Sequence, residues 1–323
     1  MVITRTPFRV SFFGGGTDYP EFYKEHGGAV LSATIDKYCY VTIRDFPPFY
    51  PYKNQFTYSK IERFNTADEV SHPLVREALK MTGENGLQIA YDADLPARTG
   101  IGSSSSFAVG LLHGICALRG KLLTPYDLAA QAIELERVRC GEAGGIQDQI
   151  AAAYGGINRI DFNSDGFSVH PLNIPDSITQ TLQENLLLIN TGMNRYSFQE
   201  AKEQEDNIQN NIEILCKMKQ MVDKAQNILL KNDNPDKFGA LLDESWKLKA
   251  MLANNISNPE IDRMYDIAKN NGAIGGKLIG AGGGGFLLVY AHRNMHQKIR
   301  DSLKEYQFVP FKFEYSGSKI IYR

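Results

Sequence analysis

"PARTGIGSSSSFAVG", residues 96–110, sets four consecutive serines behind two glycines and ahead of an apolar run. The stretch follows a strand-like segment, "GLQIAYDADLP" (86–96), so it reads as strand, glycine turn and helix. The first N–H groups of a helix have no intrahelical acceptor, and the macrodipole makes that end partly positive. Such an end holds phosphate. Gly100 and Gly102 permit backbone conformations that other residues avoid. The serine hydroxyls add hydrogen-bond donors and an oxygen suited to Mg²⁺. The spacing is neither G-x-x-x-x-G-K-[ST] nor G-x-G-x-x-G, so neither the common nucleotide loop nor a dinucleotide fold is indicated. On these residues alone a ligand-free serine cap stays open. The helix should run to about Leu118, with Gly110 and Gly114, four apart, allowing close helix packing.

The chain has 323 residues, enough for two domains or one large one. A hydrophobic content of 43% and a charged content of 22% fit a soluble globular protein. A net charge of −2 argues against a nucleic-acid or anionic-membrane partner. Cys39, Cys116, Cys140 and Cys216 form no C-x-x-C pair and are expected to be buried free thiols in a reducing compartment. "MVITRTPFRVSFF" (1–13) lacks the features of a secretory signal, and no run approaches the ~20 apolar residues of a membrane span. The expectation is a soluble cytoplasmic protein.

Outward from the serine turn, strands are expected at 8–13, 29–35 and 38–44, the last two joined near Asp36-Lys37. Residues 46–60 read as an irregular loop or hairpin. A helix should run from Pro125 to Cys140, capped by Thr124, and a second helical segment lies within 141–156. Strands follow at 166–172 and 185–192. Ile208, Ile212, Leu215, Met218, Val222, Ala225 and Leu229 step by threes and fours, which predicts a long core-facing helix over 197–230. Helices at 235–254 and 258–271 follow, with Trp246 in the core. A glycine-rich turn then enters a buried strand within 275–290, and a helix (294–306) and strand (308–314) complete the chain.

At 100° per residue, Glu136 falls inside the apolar arc formed by Leu128, Ala132, Leu135, Ala129 and Ile133, while Glu134 falls on the polar side. An inward carboxylate needs a partner, either a metal ion or an arginine. Asp148, twelve residues on in "GGIQDQ", is either an N-cap or a base for a substrate hydroxyl. A phosphate-binding turn with two such carboxylates suggests Mg·ATP-dependent phosphoryl transfer.

Three motifs, in order along nearly the whole chain, resemble those of the GHMP kinases (galactokinase, homoserine kinase, mevalonate kinase, phosphomevalonate kinase). They are "RVSFFGGGTDY" (9–19), "PARTGIGSSSSF" (96–107) and "KLIGAGGGGF" (277–286). The resemblance implies an α+β fold of two domains. An N-terminal mixed α/β domain (1–178) would carry the phosphate loop. A ferredoxin-like C-terminal domain (179–323) would follow, with the active site in the cleft between. It implies ATP at Pro96, Gly100, Gly102, Ser103, Ser104, Ser105 and Ser106, with Mg²⁺ held by Ser104 and Glu136. Asp148 would be the catalytic base, and Arg9 would lie beside it and keep it ionised. Arg9, Gly15, Gly16, Thr17, Asp18, Gly144, Gly282, Gly283 and Arg195 would face the acceptor.

Galactokinases carry Glu-His where this chain has Gly15-Gly16. "RVSFFGGGTD", "IDKY" and "GEAGGIQDQ" resemble the bacterial D-glycero-D-manno-heptose 7-phosphate kinases, which phosphorylate the anomeric hydroxyl for surface polysaccharide synthesis. Missing side chains at Gly15 and Gly16 would leave room for a seven-carbon acceptor. Lys37, Arg98, Arg195 and Lys277 are candidates to hold its phosphate. Tyr50, Tyr52 and Phe56 either cover the nucleotide base or pack on their own domain. No histidine is assigned to catalysis. Kinases of fucose, galactose or a mevalonate-like alcohol, and a non-catalytic ATP- and sugar-binding regulator, remain as alternatives. The expected partners are ATP and a sugar or sugar phosphate, with a homodimer as one option for assembly.

Overall fold

A computed structural model describes residues 1–193, 197–231 and 234–323, with only the helical backbone described for 197–200. Two antiparallel-rich sheets organise it. The first has nine strands. Its spine is Gly28–Asp45, eighteen residues long. Val2–Phe13 pairs along nearly its full length. The lower half of the spine, 39–45, pairs with Leu87–Ala93, and the upper half, 28–33, pairs with Ile157–Asn163. The expected break near Asp36-Lys37 is thus absent. The chain stays extended, and the irregularity is only a register shift opposite Pro7 and Phe8.

Helix Ser103–Leu118 lies across this sheet. Gly110 and Gly114 let it approach strands and not a helix: a Cβ at Gly110 would stand 2.9 Å from Thr6 Oγ1, and one at Gly114 2.7 Å from Ile43 Cδ1. Pro125–Ile133 is α-helical and capped by the Thr124 hydroxyl as expected. Residues Glu134–Arg139 then widen into a π-turn, with the Cys140 N–H bonding the Leu135 carbonyl.

The second sheet is fully antiparallel, in the order Gln307–Val309, Leu186–Asn190, Phe286–Ala291, Ala273–Leu278. With its intervening helices this is the ferredoxin-like order, fourth, first, third, second. The expected single helix over 197–230 is interrupted: Ser197–Asp206 gives way to a 3₁₀ turn at Ile208–Asn211, and Ile212–Leu230 follows. Its apolar stripe is nonetheless buried from Ile208 to Leu229, with Ile212 half-buried.

The two sheets share a core. Phe12 and Phe13 from the first strand meet Phe238 edge-to-face at ring separations of 5.3 and 5.1 Å. All three are fully buried, each worth roughly 1.5–3 kcal/mol relative to exposure. After Gln307–Val309 the chain returns to the first sheet. Phe313–Glu314 pairs with the spine and Lys319–Tyr322 with the first strand. A boundary at 178/179 therefore does not separate the sheets, because the tail belongs structurally with the N-terminal one. Cys39 and Cys116 are buried free thiols, whereas Cys140 and Cys216 are half-buried. Trp246 lies in the core.

Candidate functional site

Between the sheets runs a cleft of ≈ 950 Å³. One wall is the turn 96–102 and the start of helix Ser103–Leu118. Positive φ recurs at Arg98 (65°), Gly100 (79°) and Gly102 (75°). Such alternation is a backbone pattern that in other proteins gathers N–H groups into anion-binding concavities. Ser103, Ser104 and Ser105 line the cleft, and Ser104 is the exposed one. Ser106 does not. Its N–H bonds the Gly102 carbonyl and its hydroxyl the Pro7 carbonyl, so its place among the phosphate donors is corrected to a structural one.

Arg9 stands at the base of this wall. Its Nε and Nη2 donate to the two oxygens of Asp148 at 2.7 and 2.6 Å, and Nη1 donates to the Gly100 carbonyl at 2.6 Å. Its own N–H bonds the Ile101 carbonyl. Asp148 sits in the first turn of helix Gln147–Tyr154 but does not cap it; Ile146 occupies the cap position. The N-cap alternative is thereby removed. Gly102 packs against both side chains: a Cβ there would lie 3.4 Å from Arg9 Cγ and from Asp148 Oδ2.

Asp18 is 2% exposed and accepts from Gly16 N–H, Gln147 N–H and Gln147 Nε2. Burial, and then the nearby Asp148 charge, push its carboxyl above the usual range. Gly145 makes that burial feasible, since a Cβ there would fall 1.9 Å from Asp18 Oδ2. The loop 142–145 is clamped by Arg137, which donates to the carbonyls of Glu142, Ala143 and Gly145. Gly144, at φ 127°, lies against the Arg137 guanidinium and lines the cleft.

Glu136 is 1% exposed and lines the cleft. Among the described residues it forms no ion pair; its partner is the Gln149 amide at 2.5 Å. The arginine alternative is therefore not realised, and Glu134 instead pairs with Arg139 at the surface. Burial, and then Glu136, push the neighbouring Glu142 carboxyl up to about 7. Among the described residues no three metal-binding side chains cluster. Ser104 and Glu136 offer two hard oxygens in one cleft. That suits Mg²⁺, which takes few protein ligands and completes its shell with phosphate and water.

Other expected contacts fall elsewhere. Thr17 is fully buried and its hydroxyl closes the turn, bonding Gly14, the Ala29 carbonyl and the Ala29 N–H, so it is corrected to a structural residue. Gly282 and Gly283 pack on Ile256, and the cleft is floored instead by Gly280 and Ala281. Gly15 and Gly16 line the cleft, but only Gly15 would take a Cβ without crowding, 3.7 Å from Gln147 Nε2; a Cβ at Gly16 would point to Leu215 at 3.0 Å. Lys37 lies against Asp36, outside the cleft. Pro96, Arg98 and Lys277 line it. Arg195 lies outside the described residues.

An aromatic wall of Phe56, Tyr58, His72, Tyr91 and Phe107 also faces the cleft, with Phe56 stacked on Tyr58 at 4.7 Å. Tyr50 and Tyr52 stack on each other and pack at a tilt against Phe46, and take no part. Arg137, Gln147, Gln149 and most of this wall were not singled out from sequence.

The family model "GHMP kinases N terminal domain" matches residues 69–156, and "GHMP kinases C terminal" matches 227–307. The chain is 30% identical to D-glycero-alpha-D-manno-heptose 7-phosphate kinase of Campylobacter jejuni, over 98% of this chain and 97% of that protein. It is 23% identical to galactokinase of Thermosipho africanus over 95% and 94% of the two chains. The crystal structure of a D-glycero-D-manno-heptose 1-phosphate kinase from Bacteroides thetaiotaomicron superposes with a TM-score of 0.81, at 26% identity and full coverage of both chains. Matched in both halves and along nearly its whole length, the chain belongs to the GHMP kinase family.

Proposed function

We propose that the protein is a sugar-phosphate kinase that moves the γ-phosphoryl group of ATP to the C1 hydroxyl of D-glycero-D-manno-heptose 7-phosphate. The observation that carries the chemistry is the Arg9–Asp148 pair, set against Gly102 at the mouth of the phosphate turn. The Campylobacter relative supports the acceptor.

The N–H groups of residues 103–105 would hold the phosphate chain, with the base against the aromatic wall. Ser104 and Glu136 would hold Mg²⁺, which when bound offsets charge on the phosphate oxygens. Asp18, fixed by Gln147, would bind sugar hydroxyls. Asp148 would accept the proton of the attacking hydroxyl, and Arg9 fixes its orientation. The missing side chain at Gly15, where a Cβ would meet nothing nearer than Gln147 Nε2 at 3.7 Å, would leave room for a longer acceptor than a hexose.

An ATP-consumption assay over heptose 7-phosphate, fucose, galactose and mevalonate tests this, with phosphorus NMR locating the new ester. The expected result is fastest turnover of heptose 7-phosphate, with product substituted at C1. Faster turnover of an unphosphorylated acceptor, or substitution elsewhere, overturns it.

A further inference from the structure

Lys277 is 2% exposed, yet it lines the cleft. It stands on strand Ala273–Leu278, and its Nζ donates to the Phe12 carbonyl at 2.8 Å. Among the described residues no carboxylate lies within ion-pair distance of it. An ammonium has three donors, and a buried charge needs a partner. The charge that acts on it is that of another cation, Arg9. Two polar atoms of this region are buried without a partner, Ser11 Oγ and Gln147 Oε1, and both residues line the same cleft. Arg9 in turn touches both Asp148 and Gly100. Lys277 is therefore held against the strand that carries Arg9, in the cleft that the turn and Asp148 also line, and no carboxylate among the described residues pairs with it.

We infer that Lys277 is a further catalytic residue, whose ammonium contacts the phosphoryl group in transit from the floor of the cleft. This rests on phosphoryl transfer at this site and not on which acceptor is used. In the step, the bond from the γ-phosphorus to the ADP oxygen breaks and the bond to the acceptor oxygen forms. The acceptor proton passes to Asp148, and Lys277 keeps its own protons while donating to a non-bridging oxygen. A preorganised donor of this kind acts where charge builds up.

Burial, and then Arg9, bring the Lys277 amine down to about 7. Above that pH the empty enzyme holds it largely neutral. An entering phosphate raises its proton affinity, so binding draws a proton from solution. The other titratable groups lining the cleft are the acids Asp18, Glu136, Glu142 and Asp148, the bases Lys60, His72 and Lys249, the phenols of Tyr19, Tyr58 and Tyr91, and the guanidinium groups of Arg9, Arg98 and Arg137. An arriving metal ion favours proton release by the acids, which opposes the uptake and is common to all variants at Lys277.

The experiment is calorimetric titration of full-length enzyme with Mg²⁺ and a non-hydrolysable ATP analogue at pH 8, in buffers of differing ionisation heat. Wild type should take up more protons than Lys277→Met and Lys277→Arg. Lys277→Met should also lose roughly 10²–10³ in kcat, with a smaller change in the KM for ATP, and Lys277→Arg should recover part of that rate. Proton counts equal in all three proteins overturn the inference. So does a Lys277→Met variant that binds and turns over normally. A lysine that only ties the sheets together would lower the melting temperature and leave the proton count unchanged. Failure of the heptose reading alone would change which acceptor works, not the proton count measured with nucleotide.

Discussion

Arg9 and Asp148 meet through two parallel hydrogen bonds of 2.7 and 2.6 Å, although 139 residues separate them in sequence. The third arm of the guanidinium reaches the Gly100 carbonyl. One side chain thus fixes the candidate base relative to the phosphate turn. Asp148→Asn keeps the shape and removes the proton acceptor. The expected loss is about 10²–10⁴ in kcat, the usual contribution of a positioned base, measured by steady-state kinetics at saturating substrates. A rate near wild type would remove Asp148 from the mechanism.

Because Arg9 acts through Asp148, the two should not be additive. Arg9→Met should lower kcat by itself, and the Arg9→Met/Asp148→Asn double variant should be little worse than Asp148→Asn. Residues in direct contact show coupling of about 0.5–3 kcal/mol in such a cycle. Additive losses would mean that Arg9 acts independently of the base.

Glu136 is buried with a single amide partner, Gln149. Glu136→Ala should raise the Mg²⁺ concentration needed for half-maximal rate while the circular dichroism spectrum stays native. Gln149→Leu, which removes the partner and leaves the carboxylate, should have a smaller effect on that concentration. An unchanged Mg²⁺ requirement in Glu136→Ala would assign the carboxylate to packing.

The parts of this site that were legible in the sequence are those where residue type and local geometry coincide. Gly100 and Gly102 announce a turn because both take positive φ, 79° and 75°, which other residues avoid, while the serines by themselves left a ligand-free cap open. The inward turn of Glu136 was readable from helical periodicity even though residues 134–139 open into a π-turn, because the phase error has accumulated over only two or three residues by position 136. Motif membership was a poorer guide to which group faces the ligand. Thr17 and Ser106 lie inside motifs but turn their hydroxyls on backbone carbonyls, and Gly282 and Gly283 face Ile256. The aromatic wall was illegible because it draws Phe56, His72, Tyr91 and Phe107 from four separate segments. The return of Lys319–Tyr322 to the first strand is likewise a long-range pairing with no local signal.

Gly285 binds the two halves of the cleft together. At φ 101°, its missing side chain lets the Thr99 carbonyl approach; a Cβ would stand 2.2 Å from that oxygen. Gly285→Ala should therefore push the phosphate turn outward, at a cost of about 1–3 kcal/mol for the strained backbone alone. The expected readout is a lower melting temperature together with a raised KM for ATP. A lower melting temperature with an unchanged KM would show that the turn keeps its shape without this contact.

Gly15 offers a test of acceptor size that its neighbour does not. A Cβ at Gly15 meets nothing nearer than Gln147 Nε2 at 3.7 Å, and the position lines the cleft. A Cβ at Gly16 would press on Leu215 with the backbone at φ 101°. Gly15→Glu should thus fold normally and place a carboxylate near the acceptor. A carboxylate directed at a sugar phosphate adds charge repulsion to lost space, so kcat/KM for the heptose phosphate should fall by tenfold or more, about 1.4 kcal/mol. The KM for ATP should hold, because the phosphate turn is formed by other residues. Turnover of a neutral hexose should fall less, or rise, since it loses no charge interaction. Equal losses for charged and neutral acceptors would show that Gly15 faces neither the phosphate nor the longer chain.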